Sequence, residues 1–498
     1  MVEIKEGESE SLSEYLVLPN WIKNGPEEVS LQVELGPMTL QYPYMTARMQ
    51  CVVGEEMAVT AGRNGILTCI PRSLPDGDKQ KIIDANEAAR LKEGEIEFLD
   101  NPESVRPEAS LGEAIAQVER TGHSVIPVLD RFSKYYGCYV HDPNNPPSVL
   151  HSTPITRLVD EGIAVAYDPE KAKQMLSEPE RRFVPILDND NILQQLAFVQ
   201  KYDTNFIGLA ISTREGWEEE LERWGSQVDT LMIDSSNACF DEALQILNAA
   251  KDKFPDKPFG IGNIVRGEHF TVFAKAGADY VIAGMGPGSI CQTGSYRGNG
   301  RGQMKAAQRT AMARDRYAGS KGGRYVHLVI DGGIGNGKDR TVALAFGDLI
   351  MMGNFFNGFY ESAAKKLNAK GEQVFEEAAI RKVETWGEGH PQARLVAMHG
   401  MNYEEALRNP DSEDVSRVVE RYGHSSISSA TIEGVVGTTE YQGRLKPCVE
   451  EDARYIRTNM ANAGAANLKE FREMADLEKA SPATQRDMLP HGIDVTEG

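Results

Sequence analysis

Between Asp203 and about Phe359, short apolar runs alternate with amphipathic stretches. "NFIGLAIS", "EGWEEELERWG", "VDTLMIDSS", "FDEALQILNAAKDKF", "PFGIGNIV", "GEHFTVFAKAG" and "ADYVIAGMG" come first, then "GQMKAAQRTAMARDRYA", "YVHLVIDGG", "DRTVALAFG" and "DLIMMGNFF". Repeated β–α units of this length predict a parallel sheet. Polar or glycine residues end the strand-like runs ("DSS", "GN", "GMGPGS", "DGG", "GN"), so groups able to do chemistry collect at the C-terminal ends of the strands. That is the active face of a (β/α)8 or TIM barrel, an α/β fold. An open doubly wound sheet shares the alternation, but its G-x-G-x-x-G fingerprint is missing after the first strand of any unit.

The segment from 98 to 203 interrupts this pattern with two similar stretches, "SLGEAIAQVERTGHSVIPVLDRFSKYYGCYV" and "DPEKAKQMLSEPERRFVPILDNDNILQQLAFV". Each reads as a helix, an apolar strand ("IPVLD" or "VPILD"), a turn and a second strand. An internal repeat of this kind predicts a pair of small modules inserted in the barrel. Their spacing resembles the CBS pair, which commonly binds adenine nucleotides. The expected organisation is residues 1–97 as the first part of the barrel, 98–203 as the tandem module, and 204–498 as the rest. Residues 361–430, with "GEGHPQ" and "HGMN", are polar and irregular, the signature of a lid or binding loop.

The formal charge of −21 argues against a general nucleic-acid or membrane-surface binder, either of which needs basic patches. No apolar run reaches the roughly 18 to 20 residues that span a bilayer, and the opening "MVEIKEGESESLSEY" is acidic, so a soluble, cytoplasmic chain is expected. The six cysteines, Cys51, Cys69, Cys138, Cys239, Cys291 and Cys448, include no CxxC pair, so neither a zinc knuckle nor a disulfide framework is indicated.

One of them stands apart. Cys291 lies in "GMGPGSICQTGS", where glycines and a proline let the backbone approach a ligand and present N–H groups to an anion. A phosphate beside a nucleophile suits such a loop.

That loop, with "VIDGGIGNGKDRTVALAFGDLIMMGN", "IDSS", Gly262–Asn263, Arg421–Tyr422 and "IEGVVG", resembles the IMP dehydrogenase and GMP reductase family in motif order and in the inserted pair. The likeness runs over nearly the whole chain and is closest to the dehydrogenases. It implies oxidation of IMP to XMP with NAD+ through a covalent thioimidate, a thiolate being the nucleophile that adds to C2. By the same resemblance, Cys291 is the nucleophile and Thr293 holds the attacking water. Arg421 and Tyr422 form the base pair on a mobile flap. Asp331 accepts the ribose hydroxyls; Ser289, Gly333, Gly353 and Asn354 fall at the phosphate cradle; Met49, Met401, Asn402 and Glu433 complete the substrate contacts. Asp234, Ser235, Ser236, Asn263, Gly284 and Gly286 are implied for NAD. Carbonyl oxygens of Gly286, Gly288 and Cys291 are implied for potassium, and a homotetramer or octamer for the assembly.

Departures from the family pattern are specific. "TARMQCVV" replaces "SSPMDTVT", with Ala47 for a serine and Gln50 for the acid. Asn354 replaces a serine, Met398 falls at the expected tyrosine, and Ile282 replaces the arginine before "VG". In the inserted pair, His141 and Gln200 stand where threonines precede the ribose-binding acids, and Asp203 keeps the second acid. A nucleotide effector at the pair is therefore an open expectation. GMP reductase, working on GMP with NADPH, is the nearest alternative, although it lacks the Arg-Tyr pair. A catalytically silent nucleotide-sensing scaffold is the alternative from another class.

Overall fold

Eight parallel strands close into a barrel in this computed structural model. It describes residues 9–90, 96–100, 102–121, 124–141, 147, 149–160, 162–178, 181–199, 205–213, 216–291, 293–390, 408 and 434–488. The strands are β1 (Tyr44–Thr46), β2 (Thr68–Ile70), β3 (Ile207–Ile211), β4 (Thr230–Asp234), β5 (Phe259–Ile264), β6 (Tyr280–Ala283), β7 (His327–Asp331) and β8 (Leu349–Met352). They pair in the order β1-β8-β7-β6-β5-β4-β3-β2, and a parallel bridge between Met45 and Leu67 joins the two ends. Every residue of β3, β5, β6 and β8 is buried, as expected for parallel strands covered on both faces. Only the polar ends of β4 and β7, Asp234 and Asp331, retain exposure at the mouth.

The covering helices include α1 (Glu55–Arg63), α2 (Asp76–Ala88), α3 (Trp217–Trp224), α4 (Asp241–Lys253), α5 (Gly267–Lys275), α6 (Gln303–Ala318), α7 (Gly337–Leu344) and α8 (Leu445–Asn462). Helix α4 buries Ala243, Ile246, Leu247 and Ala250, one face at helical spacing. Helix α7 begins where the Asn336 side chain accepts the Asp339 N–H at 3.0 Å. Asp452 of α8 accepts from Tyr44 Oη (2.6 Å) and Arg340 Nε (2.8 Å), fixing α8 to β1 and α7.

Away from the mouth, Asp348 receives Arg314 at 3.2 Å, Arg472 at 2.9 Å, the Tyr325 hydroxyl at 2.6 Å and the Leu328 N–H at 2.8 Å. Outside the barrel, strand Tyr15–Val17 pairs antiparallel with strand Leu477–Lys479. Among the described residues, no helix is long and apolar enough to cross a membrane.

The chain divides into two compact units. One is Met1–Ala89 with Asn205–Leu445 and Asp452–Gly498, and the other is Arg90–Thr204 with Lys446–Glu451. In the first unit the chain leaves and returns at one place. A Cβ on Gly62 of α1 would stand 3.0 Å from Asn205 Cα and 3.2 Å from Asn86 Nδ2.

The second unit contains a three-stranded sheet, Ile96–Asp100, Leu193–Val199 and Phe183–Leu187, and the hairpin Val125–Leu129 with Tyr135–Val140. The two repeats turn the same way. Asp130 Oδ1 accepts the N–H of Phe132 (2.8 Å) and Lys134 (2.9 Å), while Asp188 Oδ1 accepts those of Asp190 and Ile192 (both 2.9 Å). Ser133 and Asn191 take positive φ at equivalent places, 63° and 60°. Each repeat has its own apolar cluster, one around Leu111, Ile126 and Tyr139, the other around Ala172, Val184 and Ala197.

Candidate active site

At the C-terminal mouth of the barrel, five chain segments deliver polar groups to one point. Arg48, just after β1, is buried and donates through Nη2 to Asn263 Oδ1 (2.9 Å) and Asp331 Oδ2 (3.1 Å). Its Nη1 lies 3.3 Å from Asp234 Oδ1, and Arg72, after β2, approaches Asp234 Oδ2 at 3.6 Å. Asn263 Nδ2 donates to Asp331 Oδ2 (2.8 Å) and to the Gly284 carbonyl (2.7 Å). All reach this point because polar residues end β4, β5 and β7 on the same rim, and Arg48 follows the short strand β1.

Burial pushes the Asp331 carboxyl above the ordinary range and Asp234 adds to that, while Arg48 and Asn263 oppose it without cancelling it. The side chain keeps 19% exposure. Gly284 allows this rim to be narrow: its φ is +151°, and a Cβ there would lie 1.8 Å from the Asp331 carbonyl oxygen.

The cleft above this cluster, about 280 Å³, is lined by Ala47, Arg48, Met49, Asp234, Ser236, Asn263, Gly284, Met285, Gly286, Pro287, Gly288, Ile290, Cys291, Asp331, Gly332, Met351, Gly387, Glu388 and Gly389. Cys291 stands on the loop after β6, whose turn is closed by its own N–H donating to the Gly288 carbonyl at 3.0 Å. An antiparallel bridge to Gly434 holds it from the other side. Glu388 accepts the Gln50 N–H (2.7 Å) and the Ser73 hydroxyl (2.5 Å), joining the segment after Gly387 to the loops following β1 and β2.

Of the residues singled out in the sequence, the cleft gathers Met49, Asp234, Ser236, Asn263, Gly284, Gly286, Gly288, Cys291 and Asp331. Ser235 instead turns its hydroxyl to the Asn237 carbonyl at 3.0 Å. Ser289 and Asn354 are exposed, and neither they nor Gly333 and Gly353 line this cleft, although Gly333 abuts Pro287 and Gly353 abuts Met49. Thr293 opens the short helix Thr293–Arg297. Met401, Asn402, Arg421, Tyr422 and Glu433 lie outside the described residues, as do Met398, Gln200 and Asp203.

The sequence reading passed over Arg48, Arg72, Ser73 and Glu388. The available signal for Arg48 was its place, one charged residue directly after an apolar strand at the catalytic end of a barrel. Among the described residues no group of three or more His, Cys, Asp or Glu side chains is arranged to hold a metal ion.

A closed (β/α)8 barrel whose mouth holds a cleft lined by a thiol and two carboxylates fits an enzyme of the nucleophile-bearing barrel class. A family model described as "IMP dehydrogenase / GMP reductase domain" matches residues 10–491, and the chain belongs to that family. The inosine-5'-monophosphate dehydrogenase of Tritrichomonas foetus is 27% identical over 526 residues, covering 98% of this chain and 96% of that one. That of Aquifex aeolicus (strain VF5) is 26% identical over 527 residues, covering 100% and 98%. Among solved structures, a GMP reductase variant from Trypanosoma brucei in complex with guanosine 5'-monophosphate aligns with a TM-score of 0.64 at 19% identity, over 98% of this chain and 99% of that one. This last likeness is one of fold.

Proposed function

We propose that this protein is an NAD-dependent IMP dehydrogenase that oxidises IMP to XMP through a covalent thioimidate on Cys291. The observation that carries the reading is the position of Cys291, on a glycine-rich loop lining the same cleft as Asp331, Asn263 and Asp234. The full-length likeness to the dehydrogenases of T. foetus and A. aeolicus supports the choice within the family.

Asp331 fits a ribose diol because every hydrogen bond it receives from the described residues falls on Oδ2, which leaves Oδ1 to accept hydroxyls from a ligand. The Cys291 thiolate adds to C2 of the purine, converting that carbon into a hydride donor. The Asp234 carboxylate and Ser236, both lining the cleft, are suited to hold the hydroxyls of NAD+, which when bound supplies the hydride acceptor. Thr293, with Arg421 and Tyr422, positions and activates the water that releases the product. Arginine acts as a base only if its surroundings favour the neutral form transiently.

The phosphate falls to Ser289, Gly333, Gly353 and Asn354, and the purine to Met49, Met401, Asn402 and Glu433. Potassium would be held by carbonyls of Gly286, Gly288 and Cys291; that of Gly288 already accepts the Cys291 N–H and keeps a second lone pair for a cation. The inserted unit is read as a CBS pair with a nucleotide effector, and the assembly as a cytoplasmic homotetramer or octamer.

The test is the near-ultraviolet absorbance of reduced nicotinamide, recorded with IMP and NAD+ and then with GMP and NADPH. Appearance with the first pair supports the dehydrogenase. Disappearance with the second selects a reductase, and no change in either overturns both.

A further inference from the structure

We propose that Arg48 is a positioning residue that ties the substrate carboxylate Asp331 to the cofactor carboxylate Asp234, so that the two ligands bind cooperatively through one guanidinium. This rests on the function proposed above and deepens it.

Three acceptors carried by three strands converge on this side chain: Asp234 from β4, Asn263 from β5 and Asp331 from β7. The side chain is 8% exposed, so the interactions act in a poorly solvated place where they are strong. Nη2 and Asn263 Nδ2 both donate to Asp331 Oδ2, which fixes the carboxylate rotamer and leaves Oδ1 for a diol. Nη1 is buried and makes no hydrogen bond to the described residues, although Asp234 Oδ1 is only 3.3 Å away. A buried donor left in this condition is costly, so the hold of Arg48 on Asp234 is incomplete and open to change when a ligand engages that carboxylate.

The direction of coupling follows from shared charge. When ligand hydroxyls donate to Asp234, they disperse its charge, and the single guanidinium bears more fully on Asp331. The ionised, diol-accepting form of Asp331 is then favoured, and the nucleotide binds more tightly. Reciprocity requires the nucleotide to tighten dinucleotide binding by the same factor.

The experiment uses the full chain carrying Cys291→Ala, so that IMP and NAD+ bind without turnover, and reads affinities by calorimetry. With Arg48 intact, saturating NAD+ should tighten IMP by about fivefold or more. Adding Arg48→Met should weaken IMP by roughly tenfold or more and bring the coupling factor to about one. Arg48→Lys keeps the charge but cannot span three acceptors, so it should recover part of the IMP affinity without the coupling. It also serves if Arg48→Met does not fold. Unchanged affinity and coupling in either variant would overturn the role of Arg48 and leave the proposed function standing. Failure of the Cys291→Ala parent to take up IMP would overturn the proposed function itself, and this inference with it.

Discussion

Cys291 and Gly434 face each other as an antiparallel bridge. The contact extends on both sides, since Val435 N–H donates to the Ile290 carbonyl (3.2 Å) and Gly387 N–H to the Val435 carbonyl (3.0 Å). The chain therefore enters the stretch holding Arg421 and Tyr422 beside the thiol and comes back beside it. A Cβ on Gly434 would stand 3.0 Å from Gly387 Cα, so the two strands meet where neither has a side chain.

Gly434→Val should force those backbones apart and displace the Cys291 loop. We expect kcat to fall by about tenfold or more with little loss of stability, because the change is confined to the rim. Circular dichroism beside steady-state kinetics checks it; an unchanged kcat would count against the bridge as a support for the thiol.

Cys291→Ala should remove turnover by at least about 10³-fold while IMP still binds, because Asp331 and the loop amides remain. Calorimetry with IMP, next to an NADH assay, separates the two effects. Turnover near the wild-type rate would eliminate Cys291 as nucleophile.

Arg421→Ala should slow product release by hydrolysis far more than hydride transfer, leaving covalent adduct on Cys291. Rapid-quench measurement should show an NADH burst of about one equivalent per site followed by a slow phase. A slowed first turnover without a burst would assign Arg421 elsewhere.

Asp331 should give nucleotide binding an acid limb. Burial and the nearby Asp234 raise its carboxyl above the ordinary range against the pull of Arg48 and Asn263. Protonation removes an acceptor, so IMP affinity should decline on acidification from a pH above the ordinary carboxylate range of about 4. Asp331→Asn should bind roughly 10- to 100-fold more weakly at neutral pH and lack that limb. Binding titrations across pH check both, and a persistent limb in the variant would point to another group.

Asp348 should set part of the acid stability. Burial raises its carboxyl, but Arg472, His327, Arg314 and the Tyr325 hydroxyl together outweigh burial and leave it below its usual value. A folded value below the unfolded one, about 3.9, stabilises the fold above that pH, and the stabilisation is lost as pH falls through the folded value. Asp348→Asn should cost about 3–5 kcal/mol at neutral pH, because it strands the buried Arg314 and the partly buried Arg472. The difference from wild type in urea midpoint should shrink below about pH 4.

How much of this was readable in advance depended on whether a residue's surroundings are local. The barrel was legible because strands buried on both faces are continuous apolar runs ending in polar residues, as "TLMID" and "HLVID" do. The likeness between the two inserted stretches was legible because Asp130 and Asp188 close identical turns using atoms two and four residues away. The place of Cys291 on a tight loop lining the cleft was legible from its glycines. Arg48 was not, since an arginine after a three-residue strand has the look of a solvated side chain, and its burial is imposed by strands that follow some 180 or more residues later (Asp234 minus Arg48 is 186). Glu388 was hidden for the same reason, because the partners that reveal it, Gln50 and Ser73, come from the far end of the chain.

The strand Tyr15–Val17 pairs with Leu477–Lys479, so a piece already made waits for one made some 460 residues later (Leu477 minus Val17 is 460). Translation proceeds at about 5–20 residues per second, and the eight barrel strands are complete at Met352. The ring can thus assemble on the ribosome while Tyr15, Leu16 and Val17 still present an unpaired edge. That interval, on the order of ten seconds, is when the nascent chain is open to pairing with a neighbour's strand on the same polysome. Lys479, which on pairing bonds to Glu10 and Glu14, gives the late-arriving strand an electrostatic address on its own chain.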